Sequence, residues 1–312
     1  MRFQVADEVR DDAPVTAAGR RDGFIVVATL WILIALTSLV SIYAVYVVNS
    51  AYAVGISQDR PQAEALVSAA LELAAYQLTS VEQVARPSSG GFRFRMNQAT
   101  VTAEYRSEAA RIDLNFASKE LLTGLFTALG TALDAAENYA DRVVAWRSPS
   151  PNLLQDEEAA LYRAAGRSYV PRRAPFPHVG EIALVLGPSS DLIERAMPFL
   201  TVFNGQAAIN VPDAASQVIA ALPGVTPDRL LAILTARSRG VPGEALLDML
   251  GPARGSATLQ GTPAVRVLVL VQFDNGRQGR FDTVILLLDN ARKPYRILSW
   301  RSDYDIAQRT GQ

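Results

Sequence analysis

Few residues in this chain of 312 residues could carry out chemistry, since it has no Cys and a single His. The absence of Cys removes disulfides, thiol nucleophiles, iron–sulfur clusters and Cys-based zinc sites. His178 lies between Pro177 and Val179, which favours a loop or surface residue over a catalytic base. The sequence also contains no nucleophile-elbow, zinc-protease, P-loop or dinucleotide-binding motif. An enzyme is therefore the function class that the sequence supports least.

Three acidic residues, Asp134, Glu137 and Asp141, would share one face of a helix. Paired carboxylates can act as general acid and base, but no opposing carboxylate cluster or metal motif accompanies this row. We therefore predict that the row faces solvent. A hydrolase that uses Asp and Glu is the alternative, and it predicts an activity that is lost when Asp141 is changed.

The overall composition is that of a folded protein with a balanced charge. The chain has 30 Lys and Arg residues against 31 Asp and Glu residues, a formal net charge of -1, and 49% hydrophobic residues. This balance excludes bulk electrostatic binding of a polyanion, and the apolar fraction is sufficient for buried cores.

An apolar segment near the amino terminus is long enough to span a membrane. No charged residue occurs from Gly23 to Gln58, and residues 24–48 are almost continuously apolar. As a helix, that run would be roughly 37 Å long, against a hydrocarbon core of about 30 Å. It is too long and bulky for an ordinary secretory signal, and a buried helix of a soluble domain is the alternative.

Flanking charges predict the orientation of this span. Arg20 and Arg21 precede it directly, whereas the first basic residue beyond it is Arg60. The positive-inside rule therefore places the amino end in the cytoplasm. The remainder of the chain would lie outside, in the periplasm if the source has two membranes.

The junction before the span, residues 20–24, resembles the processing site of the type IV prepilin and pseudopilin superfamily. This resemblance implies cleavage between Gly23 and Phe24 and N-methylation of the new amine of Phe24. Most members carry Glu at the fifth mature position, where this chain has Ala28. A subunit without that carboxylate suits the tip of a fibre, where no subunit lies above it. Alternatively, Ala28 is simply a residue that faces lipid.

The rest of the chain predicts a helix, strands, a helical block and further strands. Residues 61–83 predict an amphipathic helix with a stripe of Leu66, Ala69, Leu73 and Tyr76. Alternation in residues 92–96 and 101–105 predicts two strands joined by a turn at 97–98, and a third short strand follows at 110–114. The block from about 118 to 250 has helical spacing. Strands are then predicted at 265–273, 281–288 and 295–300, with a hairpin turn at 274–276.

We therefore predict an α+β fold, in which a transmembrane helix continues into a pilin-like helix packed on an antiparallel sheet with a large inserted helical domain. The predicted parts are a cytoplasmic leader (1–23), the transmembrane helix (24–48), a periplasmic helix with the first strands (49–114), the inserted domain (115–258, with sub-units of about 115–205 and 209–255), the closing strands (259–302) and a tail (303–312).

The helical block contains an internal repeat at an offset of 97 residues. The first copy has Ile112, Leu114, Ala117, Leu121, Leu122 and Leu125, and the second has Ile209, Val211, Ala214, Val218, Ile219 and Leu222. A Leu-Pro-Gly-Val turn at 222–225 then resembles that of a helix-hairpin-helix or SAM-like unit, which in many proteins binds DNA through backbone amides and nearby basic residues. Because Lys is rare and Asp228 adjoins Arg229, a packing motif is favoured. A membrane-anchored DNA-binding protein is nevertheless the main alternative function.

Taken together, these motifs resemble the K-type minor pseudopilin of type II secretion, the GspK family. The likeness also includes residues 139–147 (YADRVVAWR), 172–176 (RRAPF) and 295–301 (YRILSWR). It implies a structural subunit of the bacterial inner membrane that caps the periplasmic pseudopilus with the I-type and J-type subunits. Further implied partners are the prepilin peptidase, the inner-membrane secretion platform, and secreted cargo or the outer-membrane secretin. Nucleic acid is not expected.

The resemblance also implies Ca²⁺ as a possible cofactor, held by an Asp-rich loop after the Trp-Arg pair. Ca²⁺ takes six to eight oxygen ligands, but here residues 147–152 read RSPSPN and lack most such donors. Asp156, Glu157 and Glu158 are weak candidate ligands. They equally fit the first turn of a helix, where carboxylates are favoured.

Overall fold

The computed structural model describes residues 22–149, 156–289 and 292–304. Most of the predicted leader and most of the predicted tail lie outside these residues. The chain divides into two compact units, with the boundary in the sequence between Gln62 and Ala63.

Helix α1 (Asp22–Thr79) contains the apolar segment. Residues Ile25–Val47 have a mean hydropathy of 2.5 and none of them is buried. By length and composition this stretch can cross a membrane, as the sequence predicts. Such an apolar surface requires lipid or other apolar helices around it, because water would solvate it poorly.

The carboxyl-terminal part of α1 packs through a stripe that differs from the predicted one. Leu66 is buried, but Ala69 and Leu73 are only half-buried and Tyr76 is 69% exposed. The prediction was wrong because it followed the large residues, whereas alanines form much of the face that contacts the core. The buried side chains recur every three or four residues and are Ala63, Leu66, Val67, Ala70, Leu71, Ala74, Ala75 and Leu78.

A five-stranded antiparallel sheet has the order β1-β2-β7-β8-β9. These strands are β1 (Ser89–Met96), β2 (Ala99–Ser107), β7 (Ala264–Phe273), β8 (Gln278–Leu287) and β9 (Tyr295–Tyr304). The turn between β1 and β2 has positive φ at Asn97 (49°) and Gln98 (58°), which matches the twist of a two-residue hairpin. The predicted strands at 92–96, 101–105, 265–273, 281–288 and 295–300 and both hairpins are therefore confirmed.

One face of this sheet packs on α1, and alternate residues supply the contacts. Burial alternates along β2, where Val101, Ala103 and Tyr105 point inward. The matching residues of β7 are Val265, Val267, Val269, Val271 and Phe273. The opposite face carries polar and charged side chains, among them Arg93, Arg106, Arg266 and Arg280.

Between β2 and β7 the chain is mainly helical. The predicted third strand is shorter than expected and does not join the large sheet: β3 (Ile112–Asp113) pairs in parallel with β4 (Leu200–Thr201). In the same way β5 (Ile209–Asn210) pairs in parallel with β6 (Ala257–Thr258). The helices are α2 (Lys119–Ala128), α3 (Leu133–Arg147), α4 (Glu157–Ala164), α5 (Ser190–Ala196), α6 (Ser216–Ala220), α7 (Pro227–Ser238) and α8 (Gly243–Met249).

Candidate functional site

The two copies of the internal repeat have similar local geometry. Asp113 and Asn210 occupy equivalent positions, and each side chain accepts a backbone N–H that follows it, from Asn115 (2.8 Å) and Asp213 (3.1 Å) respectively. Each backbone carbonyl then accepts the amide of the repeat's alanine, at 2.8 Å and 3.0 Å. The faint sequence repeat is therefore a repeated structural unit. Burial raises the pKa of Asp113.

An arginine from a later helix completes each unit. Arg147, at the end of α3, donates to the carbonyls of Leu114 and Ala117. Arg237, near the end of α7, donates to the carbonyls of Val211 (3.3 Å) and Ala214 (2.6 Å). The sequence analysis did not identify these two arginines as equivalent, because they are not separated by the 97 residues of the repeat.

The two units also contact each other through equivalent residues. Gly124 of α2 corresponds to Ala221, which follows α6, and a Cβ on Gly124 would lie 2.1 Å from the carbonyl oxygen of Ala221. Only glycine permits this approach. The helical block is therefore a pair of similar units packed closely on one another.

The turn predicted to resemble a helix-hairpin-helix motif uses its basic residues internally. Gly224 has a φ of 74°, and Arg229 donates to its carbonyl at 3.0 Å. Arg237 is committed to the carbonyls described above. These arginines stabilise the fold, and the N–H groups that contact the carbonyls cannot donate to a phosphate backbone. Membership in the helix-hairpin-helix class stays a prediction.

The motif segments 139–147 and 172–176, on which the family resemblance partly rests, pack together in this block. Trp146 stacks on Phe176 with ring centroids 6.1 Å apart, and its Nε1 donates to Glu181 Oε1 at 2.8 Å. Arg172 donates to the same oxygen at 2.7 Å. Tyr162 also contacts Trp146, and its burial raises its pKa to about 12. The segments therefore form a packing core with a carboxylate at its edge.

Of the candidate calcium ligands, Asp156 is engaged by other groups of the fold. Asp156 caps α4 by accepting the amide of Ala159 at 3.0 Å, and both of its carboxylate oxygens accept from Arg173, which lowers the pKa of Asp156. Glu157 is exposed, whereas burial raises the pKa of Glu158. Among the described residues, no group of three or more His, Asp or Glu side chains could hold a metal ion. Residues 150–155 of the expected loop lie outside the described residues.

The remaining titratable candidates lie at the surface. Asp134, Glu137 and Asp141 are all exposed on α3, as predicted, and Asp141 pairs with Lys119 at 2.8 Å. His178 is an exposed loop residue whose Nδ1 accepts the amide of Gly180 at 3.0 Å. Neither arrangement provides a nucleophile with an adjacent base.

A buried ionic network joins the sheet to the helical block. Glu108, which is 1% exposed, accepts from Arg266 Nε at 2.7 Å and from the hydroxyl of Thr201. Arg266 also donates to both carboxylate oxygens of Asp282, at 2.7 and 2.8 Å. Because Thr201 belongs to β4 and Arg266 to β7, this network holds the helical block against the sheet. No sequence motif indicated it.

The predicted processing residues lie at the start of α1. Gly23 and Phe24 are within its first turn, and Ala28 is half-buried. The backbone there is helical, which agrees with an apolar helix that begins near the predicted cleavage point. Cleavage and methylation themselves stay predictions.

Comparisons with known proteins agree with this architecture. A family model described as "Type II secretion system (T2SS), protein K" matches residues 94–205. No curated protein matches the chain. A chain in the crystal structure of the GspK-GspI-GspJ complex from the enterotoxigenic Escherichia coli Type 2 Secretion System is similar in fold. That similarity has a TM-score of 0.57 and 15% identity, and it covers 80% of this chain and 99% of the other.

Proposed function

We propose that this chain is a member of the type II secretion system protein K family, whose model matches residues 94–205, and that it is a minor pseudopilin, a non-enzymatic subunit at the tip of the periplasmic pseudopilus. In this role it acts in protein export across the outer membrane. It works by assembly rather than by turnover of a substrate.

The observation that carries the proposal is the composition of α1. The stretch Ile25–Val47 is apolar and uncovered, whereas from Ala63 onward the same helix is buried against the sheet. A helix of this kind can leave the bilayer for a bundle of similar helices without exposing its apolar surface to water. A subunit that is extracted from the membrane into a fibre needs this property.

We propose that the prepilin peptidase cuts between Gly23 and Phe24 and that Phe24 is then methylated. Before cleavage the chain would span the inner membrane once, with its amino end in the cytoplasm and the domain after the span in the periplasm. Because Ala28 carries no carboxylate, it cannot pair with the amine of a subunit above it. This supports a position at the end of the fibre rather than within it.

The proposed partners are the I-type and J-type minor pseudopilins, since the structurally similar chain comes from a GspK-GspI-GspJ complex. We propose that residues 115–258 form the inserted domain, which would stop growth of the fibre or contact secreted cargo. The inner-membrane platform and the secretin would be met during assembly and export.

Mass spectrometry of the amino terminus tests this function most directly. The full chain is produced in cells that contain the prepilin peptidase, as wild type and as Gly23→Val. We expect a methylated Phe24 terminus for the wild type and an uncut chain for the variant. Val27→Ala is the matched control, because it alters an apolar residue beyond the cleavage point and should leave processing intact. A wild-type protein that keeps Met1 would refute the proposal.

Co-purification separates the proposal from its main rival. The full chain in detergent is tested for a complex with the I-type and J-type subunits, and for binding to a labelled DNA duplex at physiological salt. We expect the complex and no DNA binding, since Arg229 and Arg237 are engaged with backbone carbonyls. DNA binding that weakens steeply with salt would favour the rival.

A further inference from the structure

A groove of about 650 Å³ lies along the contact between the two repeat units. One wall comes from α2 and the start of α3, and the other comes from the end of α6, the turn 222–225 and the start of α7. The units approach closely here because Gly124 lacks a side chain that would collide with Ala221. A groove of this volume between helices is typical of a binding site.

Much of the groove lining is apolar. Pro223, Val225 and Leu230 are half-buried along one wall. On the other wall Leu133 is 57% exposed. A large apolar side chain that is this open to water gains free energy when an apolar group of a partner covers it.

The charged groups at the groove are mainly acidic. Glu120 and Glu137 are exposed, and Lys119 is the only cationic side chain among the described residues that line the groove. Lys119 is already paired with Asp141 at 2.8 Å. This hydrogen bond raises the pKa of Lys119, and the negative charges of Glu137 and Glu120 raise it further. One ammonium group is therefore shared by three carboxylates, which leaves negative charge to attract a cation from a partner.

The exposed leucine and one of these carboxylates lie on the same face of a helix. Leu133 and Glu137 are four residues apart on α3, which makes them neighbours on the helix surface. A partner that places an apolar side chain on Leu133 can therefore place a Lys or Arg near Glu137 at the same time. Glu120, in the first turn of α2, provides a second carboxylate in the lining.

The same charges disfavour a phosphate backbone in this groove. The turn 222–225 lines it, and Glu120 and Glu137 would repel a phosphate group placed beside that turn. Arg229 does not line the groove and donates to the carbonyl of Gly224 instead. The groove therefore suits a cationic occupant and not a polyanion.

We propose that this groove binds a segment of a partner polypeptide in which apolar side chains are flanked by Lys or Arg. The apolar side chains cover Leu133, Val225 and Leu230. The basic side chains pair with Glu120 and Glu137. This proposal is independent of the fibre-tip function, because it requires neither processing of the amino terminus nor assembly with other pseudopilins.

The test is a fluorescence anisotropy titration of the full chain in a nonionic detergent, with empty micelles measured alongside. The probes are three rhodamine-labelled peptides: the basic apolar peptide Gly-Lys-Leu-Leu-Lys-Gly, its acidic counterpart Gly-Glu-Leu-Leu-Glu-Gly and its polar counterpart Gly-Lys-Ser-Ser-Lys-Gly. We expect the basic apolar peptide to bind about tenfold more tightly than either counterpart, since one loses the ion pairs and the other loses the apolar burial. Its binding should also weaken as the salt concentration rises.

Variants of the lining test the two kinds of contact separately. Leu133→Gln should weaken the basic apolar peptide about tenfold, and the double variant Glu120→Gln with Glu137→Gln should do so by a similar factor. The double variant should also remove the preference over the acidic peptide. All three side chains are exposed, so these variants should fold. Leu231→Gln and Asp134→Asn are the matched controls, because both side chains are exposed on α7 and α3 and neither lines the groove.

Several outcomes would overturn the proposal. These are no binding of the basic apolar peptide at millimolar concentration, equal or tighter binding of the acidic peptide, or an effect of the control variants as large as that of Leu133→Gln. A labelled DNA duplex that binds more tightly to the double glutamate variant would assign the groove to nucleic acid instead. A dimer that Leu133→Gln dissociates would assign it to a second copy of this chain.

Discussion

Replacing Glu108 with Ala should strongly destabilise the domain that follows the membrane helix. Glu108 is 1% exposed and accepts Arg266 Nε at 2.7 Å, Arg266 Nη2 at 3.3 Å and the hydroxyl of Thr201. The variant leaves Arg266, whose side chain is 10% exposed, with Asp282 alone, and it leaves a buried hydroxyl without its acceptor.

The expected cost follows from this burial. Removing one partner of a buried ion pair typically lowers the free energy of unfolding by about 3–5 kcal/mol. For a domain of this size, that loss corresponds to a fall in Tm of roughly 6–20 °C. The measurement is thermal unfolding of the full chain in detergent, followed by near-ultraviolet circular dichroism.

Two further variants give this experiment its controls. Asp248→Ala removes an ion pair with Arg254 in which both side chains are well exposed, so it should cost less than about 1 kcal/mol. The triple variant Glu108→Ala, Arg266→Met and Asp282→Asn should recover part of the loss, because it removes all three charges of the network together. If Glu108→Ala costs no more than Asp248→Ala, the network does not stabilise the junction and the reasoning fails.

Other expected outcomes concern the helical block. Gly124→Ala should cost about 1–3 kcal/mol or more in chemical denaturation, because its Cβ would meet the backbone of Ala221, whereas Gly255→Ala, with no atom within 4 Å, should be nearly neutral. Arg147→Met and Arg237→Met should each cost about 1–3 kcal/mol by unpairing backbone carbonyls, and similar values would support their equivalence. Burial raises the pKa of Glu158, so its contribution to stability is complete below the ordinary carboxyl pKa and is lost as pH rises through the raised value. The stability of Glu158→Gln relative to wild type should therefore increase between pH 4 and pH 7, and a pH-independent difference in unfolding free energy would contradict this.

Local chemistry made much of the fold predictable. The uncharged run of residues 24–48 allows only a helix that is covered by lipid or protein, and the strands around 97–98 and 274–276 alternate clearly. The predicted packing face of α1 was wrong because it included Tyr76, a large side chain that is exposed in the structure. The small alanines allow the closest contact between this helix and the sheet. Side-chain size is a poor guide where helix and sheet approach closely.

Contacts between distant residues could not be predicted in the same way. Glu108 and Arg266 are separated by 158 residues and meet only because β2 and β7 are neighbours in the sheet. Arg147 and Arg237 have the same role in the two repeat units, but they lie outside the aligned apolar positions. In the acidic segment 156–158, the sequence showed carboxylate oxygens that could bind a metal. It could not show that Arg173 donates hydrogen bonds to the carboxylate of Asp156.

The way the helical block joins the sheet has a mechanical consequence. The chain leaves β2 at Ser107 and returns to β7 at Val265, and these two residues are partners at the same end of the ladder. A tensile load applied to the helical block would therefore peel the two strands apart one rung at a time, instead of shearing all the rungs together. The Glu108–Arg266 ion pair lies beside the first rungs to open, so such a force would have to break it early.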